Sequence, residues 1–329
     1  MIDAARQAED RARVALSRRS LPWLVVLVIV ALGAYSLAGD LGQLGDRLGG
    51  FGWWAFASTL ALAATNYALR FVRWQLYLRH QDVHVPAGDS AIVFGAGLSL
   101  AITPAKLGEL VKSYLLRELH AVPVTRTAPI VVAERVTDLI ALLLVAVGGV
   151  GLYGVQTTLV LGATGLIAFG LALLAWPRPT RWLVALVTRP ARLRRLRAPL
   201  LEMYTSLASL CGPKTLLAAT AIAVPAWACE CLGFGLIINA FPGAHCDLGL
   251  AFVIYAATTI AGALSFLPGG LGVTEGAMTL LLVSGAAHVE RATAIGATLL
   301  TRLATLWFAV FVGLAFLAIA RRKIARRAA

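Results

Sequence analysis

Charged residues that lie inside otherwise apolar segments give this sequence its chemistry. Glu134, Arg135 and Asp138 lie within one apolar segment, and Arg302 lies within the last one. Glu134 and Asp138 are four residues apart, so on a helix they share a face, and Arg135 can reach either carboxylate. An unpaired charge at the centre of a bilayer costs at least about 2.5 to 3.5 kcal/mol, so these groups must pair, face water or bind a ligand.

Two breaks in apolar segments are the second chemical feature, and they resemble each other. The sequence Thr-Pro-Ala-Lys-Leu-Gly-Glu at 103–109 recurs in altered form as Leu-Pro-Gly-Gly-Leu-Gly-Val-Thr-Glu at 267–275. A helix that restarts inside a membrane presents unpaired N–H groups and a partial positive charge, which bind anions. Alternatively, the prolines only begin helices, and Glu109 and Glu275 complement the helix dipoles. The break residues are Pro104, Gly108, Pro268, Gly269, Gly270 and Gly272.

The composition indicates a membrane protein. Of the 329 residues, 59% are hydrophobic and 14% are charged, whereas a soluble domain carries about 25% charged residues. A net charge of +13 would suit nucleic acid, but the basic residues are concentrated in alternate loops and in both tails. This positive-inside pattern predicts that both termini are cytoplasmic, and it excludes nucleic acid as the partner. The basic loops, including Arg70 and Arg73, are expected to contact anionic lipid headgroups.

The apolar segments predict an all-α polytopic membrane protein built as an inverted repeat. The first membrane unit, 21–176, contains a re-entrant hairpin at 90–119, and the second unit, 215–320, contains an opposed hairpin at 249–287. The six full transmembrane helices are 21–38, 51–69, 127–150, 158–176, 215–241 and 292–320. Cytoplasmic basic segments are expected at 1–20, 177–214 and 321–329. If both hairpins instead crossed fully as kinked helices, the basic linker would lie outside, against the charge rule.

Four runs of the sequence and one further arginine carry a resemblance to a known family. They are Arg70-Phe-Val-Arg73-Trp74, Pro104-Ala-Lys-Leu-Gly-Glu109-Leu, Glu134-Arg135-Val-Thr-Asp138, Pro268-Gly-Gly-Leu-Gly-Val-Thr-Glu275 and Arg302. Together they resemble the flippase-like membrane domain of lysylphosphatidylglycerol synthases, over roughly residues 20–320. The resemblance implies a stand-alone member in the bacterial inner membrane, without the soluble synthase domain, and it does not specify the lipid. Lys106 departs from the small or polar residue that the family often has.

The predicted function is translocation of an anionic or amphiphilic lipid between leaflets, through a polar cavity where the hairpin tips meet. In the empty site, Glu109 and Glu275 are expected to pair with Arg135 and Arg302, and a headgroup phosphate would displace them. Access to the cavity would alternate as one repeat unit rocks against the other. The predicted substrate-binding residues are Arg135, Arg302, Glu109, Glu275, Asp138, Glu134 and Lys106.

Two other functions stay open: a membrane-embedded enzyme, or an accessory subunit of an envelope-lipid pathway for phospholipids, polyprenyl lipids or hopanoids. The five histidines all lie in loops or at segment ends, and no metal-ligand spacing occurs in the apolar core. We therefore expect no catalytic residues, no cofactor and no metal. The expected partners are membrane lipids and their anionic headgroups, and homodimer formation stays open. The role of Glu230, whose partner the sequence does not indicate, also stays open.

Overall fold

The computed structural model is helical, and no β-strand occurs in the part of the chain that it describes. The predicted all-α class is therefore confirmed for that part. The described residues are 45, 47–103, 108–153, 165, 182, 184–186, 188–189, 197–284 and 287–328. Outside them lie the tail 1–20, the predicted spans 21–38 and 158–176 apart from Gly165, most of 177–196, and the residues Pro104 and Lys106.

The main helices of the described part are numbered here in chain order. They are α1 (Trp53–His80), α2 (Ala87–Leu98), α3 (Val111–His120), α4 (Val124–Tyr153), α5 (Arg197–Leu210), α6 (Pro213–Asn239), α7 (Leu248–Leu264), α8 (Val273–Ser284), α9 (Arg291–Arg302) and α10 (Phe308–Ala328). A π-helical segment, Leu303–Trp307, joins α9 to α10. Helix α6 and the continuous helix Arg291–Arg327 are long and apolar enough to cross a membrane.

Local sequence explains where several helices begin and end. Pro213 occupies the first position of α6, where a residue without an N–H group loses no hydrogen bond. The carboxylate of Asp247 accepts a hydrogen bond from the Gly249 N–H at 2.7 Å and so caps the start of α7. Helix α3 ends at Ala121, which adopts a left-handed conformation with φ of 54°. These local features set one end of each of the three helices.

Helices α2 and α3 form the first pair of short helices. They contain 12 and 10 residues, so they are about 18 and 15 Å long, well short of a hydrocarbon core of about 30 Å. Asp89 at the start of α2 lies 2.9 Å from Nε2 of His120 at the end of α3. A Cβ on Gly97 would lie 2.6 Å from Cγ of Lys112. The two helices are therefore antiparallel, and the start of α2 lies beside the end of α3.

Helices α7 and α8 form the second pair, and glycines shape the turn between them. Gly269, Gly270 and Gly272 have φ angles of 61°, 66° and 84°, a region that residues with a Cβ rarely adopt. A Cβ on Gly262 would lie 2.0 Å from Oγ1 of Thr274, so a side chain at that position would force the two helices apart. The predicted break at this position is thus a sharp turn of the backbone.

The two pairs of short helices open toward opposite ends of α1. Ala240, shortly before α7, accepts a hydrogen bond at 3.0 Å from the N–H of Gly52, beside the start of α1. Asp89, in the first turn of α2, follows the end of α1 at His80 after a short connection. Because α1 has 28 residues, these two ends are about 42 Å apart along its axis.

Each pair packs against a long helix of the other half of the chain. Helix α2 lies on α10, where a Cβ on Gly313 would lie 2.0 Å from the backbone nitrogen of Ser99. Helix α7 lies on α4, where a Cβ on Gly149 would lie 2.4 Å from Cγ2 of Val253. Glycine at these contacts lets two helix backbones approach closely. The two halves are therefore interlocked.

The predicted span 51–69 ends too early. Helix α1 continues to His80, and both Arg70 and Arg73 lie inside it with buried side chains. Their expected position in a loop, in contact with lipid headgroups of the surface, is therefore wrong. The physical reason is that both arginines find carboxylate partners in the interior, which offset much of the cost of burying them.

Candidate functional site

A group of seven charged side chains lies in the interior, contributed by α1, by the turn and first residues of α3, and by α4. We refer to this group as the charged cluster. Its members are Arg70, Arg73, Glu109, Lys112, Glu134, Arg135 and Asp138. With four cations and three carboxylates among these described residues, the cluster carries one excess positive charge. Part of that charge is offset by Glu230, whose carboxylate interacts electrostatically with Arg70.

Glu109 lies among three cations. Its Oε1 atom is 3.4 Å from an Arg70 nitrogen, and its Oε2 atom is 3.2 Å from Nζ of Lys112. Arg135 donates from its NH2 group to both carboxylate oxygens, at 3.3 and 3.2 Å. Glu109 would therefore still be paired with Arg70 and Lys112 if Arg135 moved away from it.

Asp138 joins two arginines and a tryptophan. Its Oδ1 atom lies 2.8 Å from NH2 of Arg73 and accepts a hydrogen bond from Nε1 of Trp227 at 3.1 Å. Its Oδ2 atom lies 3.2 Å from NH1 of Arg135, one helical turn earlier on α4. Arg73 also donates to the hydroxyl of Thr137 at 3.1 Å. Because Trp227 belongs to α6, this carboxylate links α1, α4 and α6.

Lys112 and Glu134 form the most deeply buried ion pair of the cluster. Nζ of Lys112 lies 2.5 Å from Oε2 of Glu134, and both side chains are at most 1% exposed. The ammonium group also lies 4.7 Å from the centre of the Trp74 ring, a distance at which a cation and a ring attract each other. A group enclosed in this way cannot reach an external ligand, so its role is structural.

Arg135 is the most accessible charge of the cluster. Its side chain is 23% exposed, whereas that of Glu109 is 2% exposed and that of Arg73 is fully buried. Both carboxylates that hold Arg135 have further cations beside them. The guanidinium can therefore exchange its internal partners for an external anion, and no carboxylate is left in the interior without a counter-charge.

A second ion pair lies at the turn between α7 and α8. Nε of Arg302 is 2.6 Å from Oε1 of Glu275, and NH2 of Arg302 donates to the carbonyl of Gly269 at 2.5 Å. The other oxygen of Glu275 accepts a hydrogen bond from the N–H of Gly272 at 2.6 Å. Glu275 thus complements the dipole at the start of α8, which was the alternative considered from the sequence, and it also pairs with Arg302.

The turn between α7 and α8 lies close to Ile102, beside the π-helical segment. A Cβ on Gly269 would lie 3.0 Å from Cγ1 of Ile102, which immediately precedes the first break. Ile102 also packs with Trp307 of the π-helical segment. The carbonyl of Thr305 in that segment accepts a hydrogen bond from the hydroxyl of Tyr67 at 2.6 Å. Such π-helical insertions are frequent at functional sites.

Most of the predicted site residues lie either in the charged cluster or in the ion pair at the turn between α7 and α8. Arg135, Glu109, Asp138 and Glu134 belong to the charged cluster, while Arg302 and Glu275 form the second ion pair. Lys106 and Pro104 lie outside the described residues. The substrate role of these residues stays a prediction, although the expected pairings of Arg135 with Glu109 and of Arg302 with Glu275 are present.

Glu230 lies between the two places. Its Oε2 atom accepts a hydrogen bond from the hydroxyl of Tyr255 at 2.6 Å, and the carboxylate also interacts electrostatically with Arg70. Tyr255 interacts electrostatically with Arg302 as well. The sequence contained no local signal for these contacts, because Glu230, Tyr255 and Arg70 lie on three different helices.

No group of three or more histidine, cysteine, aspartate and glutamate side chains that could hold a metal ion occurs among the described residues. The four cysteines are free thiols. The two groups of charged residues consist of buried ion pairs, and the Arg135 side chain is their most exposed member.

Comparisons with known proteins match nearly the whole chain. The family model of the lysylphosphatidylglycerol synthase TM region matches residues 22–313. A UPF0104 membrane protein from Methanothermobacter thermautotrophicus is 26% identical over 317 residues, which cover 89% of this chain and 93% of the relative.

Proposed function

The chain belongs to the lysylphosphatidylglycerol synthase transmembrane-region family, and we propose that it moves an anionic lipid between the two leaflets of a membrane. Family membership confirms the resemblance that the sequence motifs carried, and it makes this chain a membrane protein. The observation that supports lipid movement best is the accessible guanidinium of Arg135, which pairs with two buried carboxylates that each have another cation beside them.

The proposed topology has six full transmembrane helices and two re-entrant hairpins, with both termini in the cytoplasm of a bacterial cell. Two findings support it: α2 and α3 are too short to cross a bilayer, and the two pairs of short helices open toward opposite ends of α1. In this arrangement the turns of the two hairpins meet near the middle of the membrane. Irregular backbone at that depth is tolerated where protein or water surrounds it.

The headgroup phosphate would bind to Arg135 in place of its two carboxylates. Arginine forms planar, often bidentate hydrogen bonds with phosphate, and these charge-assisted bonds are strong. Glu109 keeps its contacts with Arg70 and Lys112, and Asp138 keeps its contact with Arg73. The exchange therefore avoids the several kcal/mol that an isolated buried carboxylate costs. The acyl chains would remain in the bilayer.

Arg302 offers a second position for the same headgroup, at the turn of the other hairpin. The Arg302 side chain is 11% exposed, and its guanidinium contacts Glu275 and the Gly269 carbonyl. A phosphate that passes from Arg135 to Arg302 would move from the turn of one hairpin to the turn of the other. Since the two turns meet near the middle of the membrane and the hairpins open toward opposite ends of α1, this passage would transfer the headgroup from the hairpin that opens at one face to the hairpin that opens at the other.

Transport measured in liposomes tests the proposal. We expect the wild-type protein to move fluorescent phosphatidylglycerol between leaflets, and Arg135→Ala to abolish the movement while the protein still inserts and keeps its thermal stability. Arg135→Lys should restore little, because lysine lacks the planar fork. Arg117→Ala is the matched control, since Arg117 lies on α3, is 46% exposed and contacts Glu118 and the ring of Tyr114, away from the charged cluster. A folded Arg135→Ala protein that moves the lipid at the normal rate would refute the mechanism.

A further inference from the structure

Trp227 contacts the charged cluster from α6, in the second half of the chain, whereas all members of the cluster belong to the first half. The indole N–H donates to Oδ1 of Asp138 at 3.1 Å, and Trp227 is 5% exposed. A buried indole needs a hydrogen-bond acceptor, but many neutral oxygens could serve. Here the acceptor is the carboxylate that also holds Arg135.

We propose that Trp227 and Arg73 are positioning residues that fix Asp138 and, through it, the guanidinium of Arg135. The inference rests on the proposed function, because it concerns the residue to which the headgroup would bind. Neither Trp227 nor Arg73 touches the lipid in this mechanism. Their role is to set the direction in which the planar fork of Arg135 faces.

The two oxygens of the Asp138 carboxylate contact different partners, and this supports the positioning role. Oδ1 faces Arg73 at 2.8 Å and Trp227 at 3.1 Å, whereas Oδ2 faces Arg135 at 3.2 Å. Trp227 donates a hydrogen bond to Oδ1, and Arg73 forms an ion pair with the same oxygen, so rotation of the carboxylate would separate both contacts. Oδ2 therefore stays turned toward Arg135 and forms an ion pair with its NH1 group, which restrains the orientation of the guanidinium plane.

The second end of the guanidinium is fixed separately. NH2 of Arg135 donates to Glu109, while NH1 is held by Asp138. A guanidinium held at both NH groups has one plane, and a planar phosphate contact requires that plane to be set before the ligand arrives. If Asp138 could rotate, only the contact with Glu109 would remain, and the fork would turn about it.

Arg73 and Trp227 come from different halves of the chain, on α1 and α6. The orientation of Arg135 on α4 thus depends on how these three helices are packed together. Trp227→Phe is the informative change, since phenylalanine keeps an aromatic ring in the same place but has no N–H group. Thr59→Val is the matched control: it removes a buried hydrogen bond from α1 to the α6 carbonyl of Gly233 at 3.1 Å, away from the cluster.

The first measurement is the transport rate as a function of the fraction of phosphatidylglycerol in liposomes. We expect Trp227→Phe to lower the rate about tenfold at low lipid fraction, the effect of losing one hydrogen bond to a charged group, and to raise the half-saturating lipid fraction. Thr59→Val should leave both values unchanged. In an Asp138→Ala background, Trp227→Phe should have little further effect, because the side chain on which Trp227 acts is gone. An equal loss in both backgrounds would mean that Trp227 acts through packing, and would overturn the inference.

The second measurement does not depend on transport. The reaction of Arg135 with p-hydroxyphenylglyoxal, quantified by peptide mass spectrometry, reports how firmly the guanidinium is held. We expect Trp227→Phe to accelerate this reaction severalfold and Thr59→Val to leave it unchanged. An unchanged reaction in Trp227→Phe would overturn the positioning role. Faster reaction in a protein whose wild type moves no lipid would support the positioning role and refute the proposed function.

Discussion

Lys112→Met is expected to destabilise the protein strongly, although Lys112 cannot reach a ligand. Its side chain is 1% exposed and lies 2.5 Å from Glu134, which is fully buried. The substitution leaves Glu109 with Arg70 and Arg135 as partners. Glu134, by contrast, loses the lysine, and its Oε1 atom has no hydrogen-bond partner among the described residues. The loss of stability should therefore come mainly from Glu134, which is left buried without its counter-charge.

The size of the effect follows from the burial of this pair. Removing one partner of a buried ion pair costs about 3 to 5 kcal/mol, because the other charge is left in a medium of low polarity. Loss of the attraction between the ammonium and the Trp74 ring adds up to about 2 kcal/mol. A protein of ordinary net stability, about 5 to 15 kcal/mol, would lose a large part of it.

The double variant Lys112→Met/Glu134→Gln separates this cause from a general packing defect. It removes both charges and keeps both side-chain volumes, so it should regain most of the lost free energy of unfolding. The free energy of unfolding can be measured by SDS titration in detergent micelles, followed by circular dichroism. The reasoning is wrong if the single variant lies within about 1 kcal/mol of the wild type, or if the double variant is as unstable as the single one.

Three further predictions concern the contact between α2 and α10. Gly313→Leu should destabilise the protein by about 2 kcal/mol or more, measured by the same titration, because even a Cβ would lie 2.0 Å from the nitrogen of Ser99. A hydrogen bond from Lys323 lowers the pKa of Asp89 in the folded protein. The Asp89 carboxylate therefore stabilises the fold above its unfolded pKa of about 3.9, and this stabilisation is lost as the pH falls through the lower pKa of the folded state. In Asp89→Asn, the free energy of unfolding should therefore fall less steeply as the pH is lowered. Linking cysteines introduced at positions 89 and 323 with a short bifunctional reagent should leave lipid transport intact, and a block of transport would show that these helices must separate.

The sequence was a good guide to those features of the fold that have local causes. The second break was predicted at Pro268 because proline and glycine interrupt helices, and the backbone turns there at Gly269 and Gly270. The pairing of Arg135 with Glu109 was expected from the cost of leaving either charge unpaired at membrane depth. These inferences needed only spacing, residue type and the properties of the bilayer.

The position of Arg70 and Arg73 was missed because averaged hydropathy treats a charge as the end of a span. A helical pattern was nevertheless present, since Asn66, Arg70, Arg73 and Tyr77 are spaced by four, three and four residues and lie on one face of α1. All four are buried. A polar stripe with helical spacing at the end of an apolar segment indicates a continued helix with a buried polar face. For Trp227 no such local signal exists, because its partner lies on another helix.

The packing of α2 on α10 and of α7 on α4 bears on how such a protein could move. The sequence suggested that one repeat unit rocks against the other, but each pair of short helices is packed on a long helix of the opposite half. Rocking of whole halves would break the backbone contact at Gly313 and the contact of Gly149 with Val253, and close helix packing of this kind resists gradual deformation. A motion that keeps these contacts would carry α2 and α3 together with α10, and α7 and α8 together with α4. The boundary between those two bodies passes between the turns at Ile102 and Gly269, where Arg302 holds the Gly269 carbonyl.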